Sequence, residues 1–594
     1  MSGFSGIINL DGAPAEPHQL GNMIALAARH GNGDPIVRSD GCIALSVVPL
    51  GGTGYADPGQ ASLTLDGVHW ITGDVRLDDR ERLLERLAAR GQPTHATESD
   101  LSLVLQAFGT WGKECVHYLE GDFAFVGWSV QSRSALCARS PFGIKPLYYS
   151  LHGKQLLFAN DIGALRKTAS VSEELNDSAI ADFLAFGHNY DERTTTFRDI
   201  QRVPPGHCIT LDASARPRFR RFEKAIPAKP IRYKRDEEYA DHFQEVFGSA
   251  VADRARAPKA SFELSGGLDS TSVAAQAMQL NAGTVEFALG LTTVYSDIDP
   301  NDREAWFAGK VAGKYGMSHV CIQAGKAEDL FAYCNTAEPY DWPFAATTLR
   351  FRKHAREHAN RLLSGQGGDP LFEGSGNALL DSYRELPLPA FSLRLVQAAI
   401  RRRSVRGLGL RTLVDNLKEP QIPPRLPNWL NTDAVKAAGS LDRWQAAWQV
   451  TPVHGKTRLA DHVLQQMNHP FWTHLFENYY HDLLFGIDCR HPFFDFRVLR
   501  FLLAIPQSQK EDKRLLRNAM AGALPGEILD RPKAVMMTDL VRESLHHVIP
   551  SDPEILRGIS GLRWIEPDAY RSALQRYVDA DTEGANMQLS LIHI

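Results

Sequence analysis

The stretch Phe262–Ser272, FELSGGLDSTS, limits the fold more than any other in this chain. A short stretch with apolar Phe262 and Leu264 feeds Ser265, Gly266 and Gly267. Asp269, Ser270, Thr271 and Ser272 follow, and VAAQAMQL then reads as a helix. A strand that ends in a glycine-rich turn at a helix N-terminus aims backbone N–H groups and a positive dipole end at one point, which suits phosphate. The two glycines let backbone approach a ligand closely. Asp269 cannot bind an anion directly, but beside phosphates it can hold Mg²⁺. No G-x-x-x-x-G-K-[ST] occurs, so this is not a Walker A loop.

The flanking sequence supplies the rest of an α/β unit. Tyr239, Phe243, Val246 and Phe247 recur at helical spacing within Glu237–Arg254. TVEFALGL (284–291) reads as a second buried strand, Glu304–Tyr315 as a helix, and GMSHVCI as a third strand. Strands alternating with helices predict a parallel sheet with nucleotide at its carboxyl edge. RLLSGQGGDPLF (361–372) ends a further strand at Ser364 and Gly365 and sets Asp369 100 residues beyond Asp269.

The first 215 residues differ in texture. FSGIINL, CIALSVVPL, HWITGDV, FAFVGWSV, QLLFAND and HCITL are short apolar runs separated by Gly, Asp and Pro. With helices expected at Pro17–Ala28, Asp79–Ala89 and Ser99–Trp111, they predict an α+β domain of stacked sheets. Residues 216–236 are rich in Arg, Lys and Pro and read as a solvated linker. The expected division is therefore 1–215, a linker at 216–236, and 237–594. The Arg401–Arg403 cluster with Arg406 and Arg411 reads as an exposed helix face. In HPFWTHLFENYY, Phe471, Leu475, Phe476 and Tyr479 form an apolar stripe expected to face a core.

At 594 residues, two or more domains are expected. A net charge of −5 gives no nucleic-acid signal. Seven scattered cysteines without a C-x-x-C pair read as reduced thiols, not as disulfides or a zinc site. No signal peptide and no apolar run of membrane-spanning length is found, so a cytoplasmic location is expected, with no membrane and no nucleic-acid partner.

The string SGGLDS is the signature of the pyrophosphate-loop ATP hydrolases and synthetases, which cleave ATP between the α- and β-phosphates. EGDFAFVGW (120–128), RSPFGIKPLYY (139–149), FANDIGAL (158–165) and VPPGHCITL (203–211) resemble the N-terminal domain of the asparagine synthetase family. The likeness runs over nearly the whole chain. It implies an N-terminal-nucleophile, glutaminase-type sandwich, then an α/β pyrophosphate-loop synthetase domain with a parallel sheet and a helical C-terminal part. It also implies ATP and Mg²⁺ as cofactors. Leu264, Ser265, Gly266, Gly267, Asp269 and Ser270 would cradle the phosphates, Leu289 would lie on the adenine, and Ser364 and Gly365 would border the adenylate. Asp269 and Asp369 would hold the metal. Within DKRLLRNAMAGALPGEILDRPKAVM (512–536), which matches the family pattern K-x-x-L-R…LP…I…R-x-K-x, Lys533 would reach the α-phosphate. Glu477 lies roughly where β-lactam synthetases keep the Glu of a catalytic dyad, and RHPFFD (490–495) resembles an element beside the substrate pocket.

The departures from the family are as informative. Ser2 stands where glutamine-using members carry a cysteine nucleophile. The glutamine-holding R-H-R-G-P-D survives only as ARHGNGDP, with Arg29, His30 and Asp34 shifted, and N-G-E reads TGD, with Thr72 for the oxyanion Asn. A serine hydroxyl is a far poorer nucleophile than a thiolate, and losing an oxyanion donor alone costs about 10²-fold. The expectation is a catalytically silent domain. Gln366 replaces the Glu of asparagine synthetases and the Tyr of β-lactam synthetases, and it cannot take a proton. These departures together resemble a lasso-peptide macrolactam synthetase. Such an enzyme activates an Asp or Glu side chain of a core peptide for attack by that peptide's own α-amine, and it works with a leader-binding protein and a leader peptidase. The alternatives are asparagine synthesis from ammonia or glutamine, β-lactam closure, or a non-catalytic ATP-binding scaffold.

Overall fold

The computed structural model describes residues 2–51, 63–222 (apart from 66, 93–94 and 96), 229–280 (apart from 257–258), 287–324 (apart from 297–300), 338–339, 345–372, 426–448, 467–477 (apart from 468), 486–532 and 563–578. Lys533, the Arg401–Arg411 cluster and Tyr479 lie outside these residues.

The first domain runs β1 (Gly3–Asn9), α1 (Gly21–Ala27), β2 (Ile36–Asp40), β3 (Ile43–Val48), β4 (Thr64–Leu65), β5 (His69–Leu77), α2 (Arg80–Ala88), α3 (Asp100–Trp111), β6 (Gly121–Ser129), β7 (Ser134–Arg139), β8 (Tyr148–His152), β9 (Gln155–Ala159), α4 (Ile162–Arg166), α5 (Asp177–Phe186), β10 (Gln201–Arg202), β11 (His207–Leu211) and β12 (Arg218–Arg221). The strands form two six-stranded antiparallel sheets, ordered β10-β8-β9-β1-β3-β2 and β12-β11-β7-β6-β5-β4. Between them Phe4, Ile8, Phe123, Phe125 and Phe158 make one core. On the far side of the first sheet Ile7, Ala44 and Leu157 meet Met23 of α1 and Leu165 of α4 in a second. Both faces of β1 are covered, which is why every residue of it is buried, Ser5 and Asn9 included, and its apolar residues do not alternate with exposed ones. This is the stacked α+β sandwich expected, with one correction at its end. Arg218–Arg221 pairs with β11 as a sixth strand, so the sheet runs past residue 215 into the segment read as linker. A short basic edge strand with one apolar residue, Phe219, carries too weak a period to be seen in sequence.

The second domain opens on α6 (Asp236–Ala255) and continues β13 (Lys259–Glu263), α7 (Leu268–Gln279), β14 (Phe287–Val294), α8 (Glu304–Tyr315), β15 (Ser318–Gln323), α9 (Ala345–His358), β16 (Arg361–Leu363), α10 (Gly368–Phe372) and β17 (Asp488–Arg490). The sheet is parallel and ordered β15-β14-β13-β16-β17. From β13 the chain builds outward through β14 to β15, then returns to the other side of β13 as β16. That reversal is a topological switch point, the place where open parallel sheets bind ligands at their carboxyl ends. Gly316 ends α8 in the left-handed region, as a C-terminal glycine should.

The short helix Pro470–His474 corrects the predicted stripe. Trp472, Leu475 and Phe476 are buried, but Phe471 is 45% exposed. A third core joins the far end of the chain to the first domain. Trp429, Val435, Trp564 and Tyr570 pack on Ile180, Phe183 and Leu184 of α5, and buried Asp182 pairs with Arg443 at 2.6 Å. Among the described residues no helix is long and apolar enough to cross a membrane.

Candidate active site

Two backbone turns meet at the switch point. The first is the loop Ser265–Gly267 between β13 and α7. Leu264 is anchored before it by its N–H on Leu291 O at 2.8 Å and by Thr292 Oγ1 donating to its carbonyl at 2.6 Å. Gly266 has φ +69°, and a Cβ there would lie 2.6 Å from Phe307 Cβ, so no other residue fits. Ser265 N–H donates to Ser270 Oγ at 3.1 Å, and the two hydroxyls lie 2.9 Å apart. The Thr271 hydroxyl donates to Gly267 O at 2.8 Å. The loop is thus tied to the first turn of α7 before any ligand arrives. Leu289 is buried in neighbouring β14, in register with Ser261.

The second turn, Ser364–Gly368, leaves β16. Gly365 lies so close to α7 that a Cβ would sit 2.5 Å from Ser270 N. Ser364 N–H donates to Arg490 O at 3.0 Å, and Gln366 N–H to Ser364 Oγ at 3.1 Å. Gly367, at φ +99°, has the Phe494 ring where its Cβ would be. The two motifs expected to cooperate across 100 residues of chain therefore touch through backbone.

Asp269 lies in the first turn of α7 and Asp369 in the first turn of α10. Their carboxylates converge on the ammonium of Lys513, which lies 2.6 Å from Asp269 Oδ2 and also bonds Asp369 Oδ1. Lys513 and the preceding Asp512 both sit at positive φ, +55° and +52°. Two successive non-glycine residues in the left-handed region store strain that the surrounding contacts must hold. Lys513 opens the K-x-x-L-R string, yet nothing in that string alone pointed to the carboxylates. The convergence of two carboxylates on one cation fits Mg²⁺. Among the described residues no group of three or more His, Cys, Asp or Glu side chains can hold a metal. A magnesium ion here would draw its other ligands from phosphate and water, as this ion commonly does. Arg531, also unforeseen, pairs with Glu304 and stacks over Phe307 with its guanidinium 4.1 Å from the ring centroid, beside Gly266.

Glu477 is not where its expected role requires. It is buried at the domain seam, and Arg139 and Arg202 of the first domain donate to its two oxygens at 2.7 and 2.6 Å. Burial opposes its ionisation, but the Arg202 and Arg139 guanidiniums outweigh that and hold the carboxyl below the usual range. A carboxylate with both oxygens so engaged does not accept a proton from an amine.

At the glutaminase-like positions of the first domain, several polar groups have partners within the chain. The Ser2 hydroxyl accepts the Leu50 N–H at 3.1 Å. Thr72, at the oxyanion position, donates its hydroxyl to Ser46 O at 2.8 Å. Asp74 of the TGD string is held by Lys145 at 2.6 Å. His30 pairs with Asp161 at 2.9 Å, while Arg29 and Asp34 face solvent.

Comparison with known proteins agrees with this architecture. The asparagine synthase family profile matches residues 242–586, and a glutamine amidotransferase domain profile matches residues 1–222. A glutamine-hydrolysing asparagine synthetase of Bacillus subtilis strain 168 is 25% identical over 519 residues, covering 80% of this chain and 76% of that protein. A putative asparagine synthetase of Mycobacterium bovis is 26% identical, covering 76% and 72%. Amidase chry2 of Gibberella zeae is 23% identical, covering 79% and 77%. With a glutamine amidotransferase-type domain ahead of a pyrophosphate-loop site, this chain belongs to the asparagine synthase family and is an ATP-dependent ligase that forms amide bonds.

Proposed function

We propose that this ligase closes a macrolactam in a lasso peptide. The observation that carries the reading is the state of the first domain's pocket. Thr72 spends its hydroxyl on Ser46 O and Asp74 is paired with Lys145, so the oxyanion and acidic groups needed for glutamine hydrolysis are occupied. The nitrogen then comes from the substrate. A side-chain carboxylate of Asp or Glu in the core peptide attacks the α-phosphorus of ATP. The Pα–O–Pβ bond breaks and pyrophosphate leaves. The core peptide's α-amine then attacks the acyl carbon, AMP departs and the nitrogen gives up a proton. The peptide loses one water in all. An α-amine has a pKa of about 7.7–8.0, so roughly a tenth is uncharged near neutrality. It needs little help from a base, which suits a site with neutral Gln366.

In this reading Ser265, Gly266, Gly267 and Ser270 receive the β- and γ-phosphates, while Leu289 flanks the adenine and Ser364 and Gly365 the adenylate. Asp269 and Asp369 would hold Mg²⁺, whose charge would offset that on the departing pyrophosphate. Lys513, held by both carboxylates, would turn to the phosphates once the metal binds, and the resemblance gives Lys533 the α-phosphate. A leader-binding protein and a leader peptidase would present the free core. The relatives' names favour a second reading, asparagine formation. Mass spectrometry of core peptide with ATP and Mg²⁺ decides between them. Loss of one water with AMP formed supports macrolactam closure. Unmodified peptide, with AMP released only when aspartate and ammonium are supplied, overturns it.

A further inference from the structure

The first domain does not merely rest on the second. The loop Arg139–Lys145, RSPFGIK, enters the synthetase domain with four side chains. Arg139 donates to Glu477. The Phe142 ring packs against Phe494 at 5.4 Å and Phe496 at 4.7 Å between centroids. Ile144 is part of the synthetase core. Lys145 bridges Asp74 of its own domain to Asp488 at 3.7 Å, at the start of β17. Arg202 adds a second arm to Glu477 and also pairs with Glu338. These are buried, mutually neutralising charges, the arrangement that fixes one geometry.

What they hold is one step from the chemistry. Phe494 is packed by Phe142 on one side and by Trp472 and Phe476, at 5.0 and 5.1 Å, on another. The same ring fills the space at Gly367, in the turn that carries Gly365, Gln366 and Asp369. The geometry points to Arg139, Phe142 and Arg202 as positioning residues: the silent domain sets the Ser364–Asp369 turn through Phe494 and Glu477. The Ser265–Gly267 loop is tied to α7 by its own hydroxyls. The inference rests on the family's ATP chemistry and not on which amine attacks. Packed networks of this kind carry coupling when both ends bias one element.

The test is hydrogen exchange by mass spectrometry on the full-length chain with Mg²⁺ and α,β-methylene-ATP, which needs no acid substrate. In Phe142→Ala and Arg202→Met, segments 361–372 and 486–495 are expected to exchange about fivefold faster or more, while 268–279 and β1 keep the original rate. Analogue affinity should weaken by less than about threefold. Phe142→Leu and Arg202→Lys, which keep bulk or charge, should show the same selective pattern at smaller amplitude. An unchanged 361–372 segment in all four variants overturns the inference. So does a uniform rise across both domains in the two conservative variants.

Discussion

Lys513 stands between Asp269 and Asp369 as the cation that lets two like charges share a site. Two carboxylates this close repel unless a positive charge lies between them. Asp269→Asn should therefore cut AMP formation by on the order of 10²-fold, the usual loss when a charge-stabilising group at a reacting phosphate is removed. Fold should persist, and quantifying AMP by chromatography, with thermal unfolding as control, checks both. At Ser2 the opposite is expected. Ser2→Ala should leave product yield unchanged, and Ser2→Cys should release no glutamate from glutamine, because Thr72 and Asp74 remain committed to Ser46 and Lys145. Brisk glutamate release by Ser2→Cys would contradict the silent-pocket reading. Asp269 and Asp369 stand out in SGGLDS and SGQGGD, but it was the family resemblance that paired them. Lys513 was not, because its contact depends on a loop 244 residues away from Asp269.

Glycine decides how the elements meet. Gly365→Ala would drive a methyl against the Ser270 backbone, and backbone at a helix start has little room to yield. A loss of about 1–3 kcal/mol is expected, the ordinary range for overpacking, together with weaker binding of the ATP analogue. Denaturant unfolding and titration calorimetry measure the two. Among the elements, α6 and α8 were readable because apolar spacing and end signals agree over many residues. Phe471 was assigned inward on spacing alone, yet the short helix buries Trp472 in its stead. The register of a helix only five residues long is set by what packs on it, here Phe494, and not by its own period.

At the scale of the whole molecule the seam between domains is the vulnerable part. A chain beginning after residue 222 would take Arg139 and Arg202 away from Glu477, Arg202 from Glu338, and Lys145 from Asp488, which keeps Arg490. Breaking a buried ion pair costs about 3–5 kcal/mol, so such a fragment should be markedly less stable than the full chain in a thermal melt. Acid should loosen the same seam. His188, His469 and His474 cluster there, with ring centroids of His188 and His469 5.1 Å apart. Burial holds His469 and His474 down to about 4, with Arg202 adding to it at His474. Unfolded, these rings take up protons near pH 6.5; folded, only near 4. The folded chain therefore binds fewer protons between those values. Stability is full above the window and falls as pH drops through it, by about 1.4 kcal/mol per unit per histidine. The melting temperature should fall from pH 7.5 to about 5.5; a flat profile would show the imidazoles are not buried neutral. The sequence by itself determined the glycine-rich turn between strand and helix and the order of the two domains, because the turn depends on residues adjacent in the chain and the order on long stretches of differing texture. Only the tertiary structure decided that Lys513 joins the two acidic motifs, that Glu477 binds two arginines of the first domain, and that the first domain packs on the element beside the second domain's glycine turn. Those outcomes depend on which distant charges are buried together, and burial is a property of the packed molecule.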